Sequence, residues 1–143
     1  MSENCQVDFY VLQDESQSAD ILACRLALMA WEKGHSIMVV AETETDATRL
    51  DELMWEHPGG RFLPHSSGRQ QSPAPVRIGT MEMLNSATGD LVINLTDHPV
   101  PEPGRFQRLL ELVPARDARR KASREKFRGY RSQGLQPESH PIN

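Results

Sequence analysis

The sequence contains little cysteine, few aromatic residues and no long hydrophobic run. Its two cysteines, Cys5 and Cys24, are not spaced as a CxxC pair and have no nearby histidine. We therefore expect reduced thiols, and neither a disulfide framework nor a zinc site. No run of about 18 apolar residues is present to form a membrane span, and the first residues lack the basic segment of a signal peptide. These absences favour a cytoplasmic protein, and a length of 143 residues suits one domain.

The glycine-rich loops that hold nucleotide phosphates are also missing. No GxGxxG sequence follows a predicted strand, and GxxxxGK[ST] does not occur in the chain. Residues 13–16, which follow the first predicted strand, contain two acids and no glycine, so they would repel a pyrophosphate. We therefore do not expect nucleotide binding of the Rossmann or P-loop type.

Catalytic groups are scarce. Asp97 and His98, just after the fourth predicted strand, are the best-placed pair, although Asp97 is also well placed to cap a turn before Pro99. His57 and His65 flank a Gly-Gly sequence but lack an evident third metal ligand, and the GxSxG sequence of a nucleophile elbow is absent. We expect no catalytic site, no metal and no cofactor.

Strand-like and helix-like segments alternate along the chain. The apolar patterns predict strands at 7–12, 36–41, 76–79 and 91–95, helices at 18–34, 45–55 and 115–133, and an exposed loop at 64–75. Residues 106–113 fit either a helix running into a strand or mostly strand. The alternation predicts a single α/β domain over residues 1–136: three layers, Rossmann-like, with a mainly parallel sheet and no phosphate-binding loop. Residues 137–143 are expected to form a loosely ordered tail.

Charge is distributed unevenly. The net charge is −4, but residues 105–131 contain ten basic and three acidic residues, a net of +7, which leaves −11 for the rest. An acidic body disfavours the wrapping of nucleic acid, because phosphate binding needs many cationic contacts. Attraction for an anionic partner is therefore expected only from the basic segment.

Arginines recur at helical spacing in the last predicted helix. Arg116, Arg120, Arg124 and Arg128 are four residues apart, with Phe127 beside them. Such a stripe is either a solvated face or a binding surface, and the cost of like charges at this spacing favours binding. Single-stranded nucleic acid would require several stacking aromatics. An acidic peptide with one apolar anchor needs only a small pocket and a few arginines, so the sequence favours a peptide.

A second apolar segment follows the second predicted helix. Trp55, Phe62 and Leu63 lie close to the helix-breaking Pro58 and its neighbouring glycines. Tryptophan and phenylalanine are enriched in interface hot spots. The three side chains either form a partner surface or fill the core at the end of the helix, and both interpretations remain open.

Several ordered blocks of the sequence resemble the chi subunit family of bacterial DNA polymerase III, whose members are accessory subunits of the clamp loader. The blocks are VDFYVL at 7–12, AWEKGH at 30–35, ATRLDELMW at 47–55, FLPH at 62–65, APV at 74–76, LVINL at 91–95 and KFRGYR at 126–131. The resemblance covers almost the whole chain. It implies a Rossmann-like domain without nucleotide chemistry and a role in DNA replication.

The resemblance also implies a partner for the arginine helix. Members of the family bind the acidic C-terminal tail of single-stranded DNA-binding protein, which ends in an aromatic residue with a free carboxylate. By similarity, the tail pocket falls on Val113, Arg120, Arg124, Phe127 and Arg128. Phe127 and Val113 would form the apolar slot, Arg124 would hold the terminal carboxylate, and Arg120 and Arg128 would meet upstream acids.

A second partner is implied for the apolar segment. In the family, the psi subunit tethers chi to the clamp loader, and its site maps onto Trp55, Pro58, Phe62, Leu63 and His65. In some members a helicase competes for chi.

The expected function is therefore that of a non-catalytic replisome adaptor, cytoplasmic and associated with the nucleoid, without direct DNA binding. Two alternatives remain. One is direct binding of single-stranded DNA by the arginine-rich helix, and the other is a small α/β enzyme that uses Asp97 and His98.

Overall fold

A seven-stranded parallel sheet forms the centre of the fold. The computed structural model describes residues 5–56, 65–67, 76–86 and 89–143. The strands are β1 (Gln6–Leu12), β2 (Ile37–Val40), β3 (His65–Ser67), β4 (Val76–Gly79), β5 (Gly89–Asn94), β6 (Phe106–Val113) and β7 (Glu138–Ile142). Their order across the sheet is β3-β4-β2-β5-β6-β1-β7, and each neighbouring pair is parallel.

Within the described residues, three α-helices connect the strands: α1 (Ala19–Glu32), α2 (Glu44–Glu56) and α3 (Asp117–Ser132). The predicted cap of α1 is confirmed, because the Ser18 hydroxyl accepts a hydrogen bond from the Ile21 N–H at 3.2 Å. Gly34 and Gly134 follow α1 and α3 with φ of 90° and 93°. This left-handed backbone suits glycine and ends both helices. Two short 3-10 helices, Met81–Ser86 and Pro103–Arg105, complete the helical segments of the described chain.

The sheet is covered on both faces, as the predicted three-layer α/β architecture requires. On one face, α1 and α2 pack against the sheet through side chains such as Leu28 and Leu50. On the other face, Leu84 of the first 3-10 helix and Tyr130 of α3 belong to a second apolar cluster. The segment between β1 and α1 contains no glycine, so the Rossmann-like fold is present without a phosphate-binding loop.

The two cysteines lie in different halves of the core. Cys24 belongs to the cluster under α1 and α2, whereas Cys5 belongs to the cluster under α3. Both thiols are free and buried, and burial raises the pKa of each to about 11. Two thiols on opposite faces of a sheet cannot approach one another closely enough to form a disulfide.

Two segments differ from the sequence predictions. Residues 106–113, which were ambiguous, form the single strand β6, because burial of both faces favours an extended chain with alternating side chains. Residues 137–143 are not a loose tail: Glu138–Ile142 form β7, which pairs with β1. Within the predicted loop at 64–75, residues 65–67 form β3, and the other residues lie outside the described chain.

Candidate functional site

A cavity of about 500 Å³ lies between α3 and the sheet, next to the edge strand β7. Its floor is formed by Phe9 and Val11 of β1 and Val113 of β6. Helix α3 supplies a longer wall with the residues Arg120, Ser123, Arg124, Phe127 and Arg128. On the β7 side the cavity is lined by Ser139. The site therefore combines an apolar floor with three guanidinium groups along one wall.

The five residues assigned to a tail pocket by resemblance all line this cavity. On α3 they occupy positions 120, 124, 127 and 128. These positions lie on one side of the helix, because Arg120, Phe127 and Arg128 are each three or four residues from Arg124. Val113 lies at the end of β6, directly before the segment that leads into α3. Sequence spacing and strand order together bring residues from separate elements to one place.

Arg116 does not belong to the arginine group at the cavity. It precedes the first helical residue of α3 and has an extended backbone, with φ of −134° and ψ of 139°. The helical spacing that aligns Arg120, Arg124 and Arg128 therefore stops short of it. Its side chain instead lines a separate depression near the beginning of α1. The predicted four-residue stripe is thus a stripe of three.

The three cavity arginines differ in exposure. Arg124 and Arg128 are exposed, whereas Arg120 is half-buried. Arg120 Nη2 donates a hydrogen bond to the Leu12 carbonyl oxygen at 3.1 Å. This contact fixes one arginine at the carboxyl end of β1 and leaves the other two facing solvent. Positive charge is consequently present both inside the cavity and along its rim.

Aromatic rings form the deepest part of the site. Phe127 is partly buried, and its ring centroid lies 5.2 Å from that of Phe9 at an interplanar angle of 51°. Tyr130 also packs near Phe9, with 6.1 Å between the two ring centroids. Phe9 and Val11 were not assigned to the site from the sequence. The alternation of side chains along a strand places both on the same face as Val7, which could have identified them.

A buried polar network holds α3 against the sheet. Lys126 Nζ forms an ion pair with Glu111 Oε1 at 2.6 Å and donates to the Thr96 carbonyl oxygen at 2.7 Å. Glu111 Oε2 accepts hydrogen bonds from the Tyr130 hydroxyl at 2.6 Å and from Asn94 Nδ2 at 3.0 Å. Lys126 and Tyr130 belong to α3, whereas Glu111 belongs to β6. The network therefore fixes the helix that carries the arginines.

Burial shapes the protonation of this network. It raises the pKa of the Glu111 carboxyl, while Lys126, Tyr130 and Asn94 act in the opposite direction. Burial, together with the nearby Glu111 charge, also raises the pKa of the Tyr130 phenol, which remains a hydrogen-bond donor at neutral pH. The same hydroxyl accepts a hydrogen bond from the Val100 N–H at 2.8 Å.

Asp97 and His98 are each paired with a different residue. The Asp97 carboxylate forms an ion pair with Arg119 of α3, and His98 Nε2 lies 3.5 Å from Glu42 Oε2. His98 is exposed. The turn that follows β5 is organised by the Thr96 hydroxyl, which accepts from the His98 N–H at 3.1 Å. Asp97 and His98 therefore do not form a dyad with each other.

A second depression, of about 360 Å³, lies at the carboxyl ends of β1 and β6. Parallel α/β folds often bind ligands at such an edge. Here Arg49 is paired with Asp20 at 3.3 Å and with Asp46 at 3.0 Å, and Arg119 is paired with Asp97. These ion pairs neutralise two of the three arginines that line the depression, and Glu15 and Asp20 add negative charge to it, so it is a less suitable anion site than the cavity under α3.

Asp8, Glu138 and His140 bring possible metal-binding atoms within 4.8 Å of one another. The Asp8 carboxylate, however, already accepts hydrogen bonds from Arg108 Nε at 3.1 Å and from Gln6 Nε2 at 3.1 Å. Its other oxygen lies 2.9 Å from His140 Nε2. A divalent cation would have to enter beside the Arg108 guanidinium, and this arrangement suits hydrogen bonding between strands better than metal binding.

The residues assigned to the psi site are only partly within the described chain. Trp55 lies in the last turn of α2, and His65 begins β3. Pro58, Phe62 and Leu63, like His57, lie outside the described residues. The structure therefore gives the backbone positions of two of the five residues.

Comparison with known proteins identifies close relatives. Residues 5–138 match the family model described as DNA polymerase III chi subunit, HolC. The chain is 39% identical over 141 residues to DNA polymerase III subunit chi of Pseudomonas aeruginosa, covering 96% of both chains. It is 30% identical over 129 residues to the subunit of that name from Haemophilus influenzae, covering 88% of this chain and 90% of the relative.

Solved structures share the fold at low sequence identity. S. cerevisiae Dbp5 bound to RNA and ADP BeF3 matches 97% of this chain and 42% of its own, with a TM-score of 0.68 and 13% identity. A DEAD box protein from Methanococcus jannaschii matches 96% of this chain and 42% of its own, with a TM-score of 0.68 and 14% identity. At these identities the likeness establishes the α/β fold alone. None of the helices described for this chain has the length and apolar character needed to cross a bilayer.

Proposed function

Because the chain belongs to the DNA polymerase III chi subunit family, which places it in DNA replication, we propose that it is a non-catalytic adaptor. It captures the acidic tail of single-stranded DNA-binding protein in the cavity under α3. Through the psi subunit it links that protein to the clamp loader. The observation that carries the proposal is one cavity in which an apolar floor and three arginines converge.

The chemistry of the cavity matches a peptide that ends in an aromatic residue with a free carboxylate. Val11 and Phe127 are partly exposed and offer apolar contacts to a single ring, with the buried Phe9 and Val113 behind them. Guanidinium groups bind carboxylates in charge-assisted and often bidentate hydrogen bonds. A volume of about 500 Å³ falls within the range of small-ligand sites. This volume suits the end of a peptide better than an extended protein surface.

The arginines divide between the terminal carboxylate and the upstream acids. Arg124 lies one turn before Phe127 on the same face of α3, so its guanidinium can reach a carboxylate attached to a residue in the apolar slot. Arg120 is restrained by the Leu12 carbonyl, and a restrained side chain loses less entropy on binding. Arg128 extends the positive rim toward acids further along the peptide.

Direct binding of single-stranded DNA is a weaker fit. Such binding uses several exposed rings on which successive bases stack. In the cavity, Phe9 is only 1% exposed, so Phe127 is the ring available for contact. The rest of the protein is acidic, which opposes a phosphate backbone that continues beyond the cavity. An enzymatic role for Asp97 and His98 is also disfavoured, because each is paired elsewhere.

Two titrations test the proposal. The protein is titrated into a fluorescent acidic peptide that ends in Phe with a free carboxylate, and separately into a fluorescent single-stranded oligonucleotide, at the same salt concentration. We expect saturable binding of the peptide and at least about tenfold weaker binding of the oligonucleotide, since the cavity offers a single accessible ring. Tight binding of the oligonucleotide without binding of the peptide would contradict the proposal.

The psi-binding role rests on Trp55, Pro58, Phe62, Leu63 and His65. Trp55 lies in the last turn of α2, a helix on the opposite face of the sheet from α3. A Trp55→Ala variant is therefore expected to bind the acidic peptide as tightly as the unchanged protein does while losing psi in a pull-down. The two-surface proposal fails if this variant loses the peptide.

A further inference from the structure

One side of the cavity is formed by β7, a strand that was not predicted from the sequence. Building on the tail-binding function above, we propose that β7 is an integral wall of the peptide site and that Ser139 sets its width. In this view, the last strand helps to select what fits between α3 and the sheet edge. Three features of the described structure support it.

Ser139 lies beside the centre of the cavity floor. In the parallel pairing of β1 and β7, Ser139 is the register partner of Phe9. Phe9 in turn packs against Phe127 of α3, with 5.2 Å between the ring centroids. A peptide ring that enters the apolar slot must therefore pass between the α3 wall and the side chain at position 139.

Strand alternation separates the two faces of β7. Ser139 lines the cavity, whereas its neighbour His140 projects to the opposite face, where its ring lies 5.4 Å from that of Tyr10. Glu138 lies on the same face as His140, since its possible metal-binding atom is near those of His140 and Asp8. Only alternate residues of β7 can therefore influence the cavity directly.

The strand is held in place by a side-chain contact on the face away from the cavity and by a backbone hydrogen bond at its end. His140 Nε2 lies 2.9 Å from Oδ1 of Asp8, a carboxylate that is 1% exposed and fixed by Arg108. At the end of the strand, the Gln13 N–H donates to the Ile142 carbonyl oxygen at 3.2 Å. These contacts anchor the wall from behind without using the cavity side, which remains free for a ligand.

The small size of serine keeps this side of the cavity open. Because β7 is the edge strand of the sheet, no further strand among the described residues lies beyond it to shape the site. A large side chain at position 139 would extend over Phe9 toward α3. It would occupy space that the peptide ring needs, and a steric clash of this kind is a common way to exclude a ligand.

The test compares Ser139→Trp with Glu138→Trp in the full chain, using the fluorescent acidic peptide. Glu138→Trp is the matched control, because it adds the same ring one residue away on the opposite face. We expect Ser139→Trp to weaken peptide binding at least about tenfold and Glu138→Trp to change it less than about twofold. Equal, near-unchanged binding by both variants would overturn the role of β7 while leaving the tail-binding function intact.

A second probe separates the two proposals if the unchanged protein does not bind the peptide. Anilinonaphthalene sulfonate is an apolar anion that suits an arginine-lined apolar cavity, and its fluorescence reports binding without a peptide. Lower fluorescence with Ser139→Trp than with Glu138→Trp would support β7 as the wall even though the tail-binding function had failed. Equal fluorescence with the two variants would overturn the proposed role of β7 as well. Circular dichroism of each variant verifies that the sheet is retained.

Discussion

The Arg124→Glu variant is expected to bind the acidic peptide about 30-fold more weakly, a loss of about 2 kcal/mol. The change removes a charge-assisted contact to a carboxylate and places a repelling carboxylate at the cavity rim. Fluorescence anisotropy gives the dissociation constant directly. Because Arg124 is exposed, the midpoint of thermal unfolding should remain close to that of the unchanged protein.

Lys121→Glu provides the control for this experiment. Lys121 is exposed on the same helix, and it is not among the residues that line the cavity. Its reversal changes the net charge of the protein by the same amount. If attraction to the peptide came only from the overall positive charge of the segment, both variants would lose affinity equally, and the cavity would not be the binding site.

Lys126→Met is expected to lower the free energy of unfolding by about 3 kcal/mol, the scale for breaking a buried ion pair. Lys126 and Glu111 have side chains only 4% and 0% exposed, so the substitution leaves a carboxylate buried without its cation. Urea denaturation at neutral pH measures the loss. The exposed Lys121 on the same helix provides a matched Lys121→Met control, which should cost much less.

The loss should also depend on pH in a defined direction. Lys126 lowers the pKa of Glu111, whereas burial raises it above its ordinary value of 4.5. Removal of Lys126 should therefore raise the pKa of Glu111 further. A folded state that binds the proton more tightly than the unfolded state becomes less stable as pH rises. The deficit of Lys126→Met should therefore be smallest below that ordinary value and should grow toward neutral pH. A deficit that stays constant across this range would show that the ion pair is not its cause.

Local patterns were sufficient to predict most of the helices and the central strands. Ile37–Val40 and Gly89–Asn94 lie in the middle of the sheet, where a strand buried on both faces must be apolar along much of its length. Ser18 and Gly34 mark the ends of α1 by their specific backbone and capping chemistry. Such signals depend on a few neighbouring residues and can be recognised without the fold.

The strand β7 could not be predicted in the same way. Its sequence is polar and contains Pro141, a residue that is tolerated in a sheet mainly at an edge. Its stability depends on pairing with β1, which lies more than a hundred residues earlier in the chain. Nothing in the local sequence of 138–142 records that partner, and Ser139 was missed as a site residue for the same reason.

Only some of the residues that line the cavity could be predicted from sequence patterns. Helical spacing predicted that Arg120, Arg124 and Arg128 share a face, and the structure places all three at one cavity. The same spacing led to the prediction that Arg116 belongs to the stripe. Spacing alone cannot show that α3 begins at Asp117, one residue after Arg116. Alternation along β1 indicates which face of the strand Phe9 occupies, and the order of strands, with β1 between β6 and β7, brings that face to the cavity.

In the proposed function, the cavity under α3 holds the aromatic end of an acidic peptide. The most direct test is to measure nuclear Overhauser effects between the terminal ring of an acidic, Phe-ended peptide and isotope-labelled methyl and aromatic groups of the protein. We expect contacts to the Val113 methyl groups and to the Phe127 ring. Contacts instead to Trp55, or to side chains of α1 on the opposite face of the sheet, would contradict it.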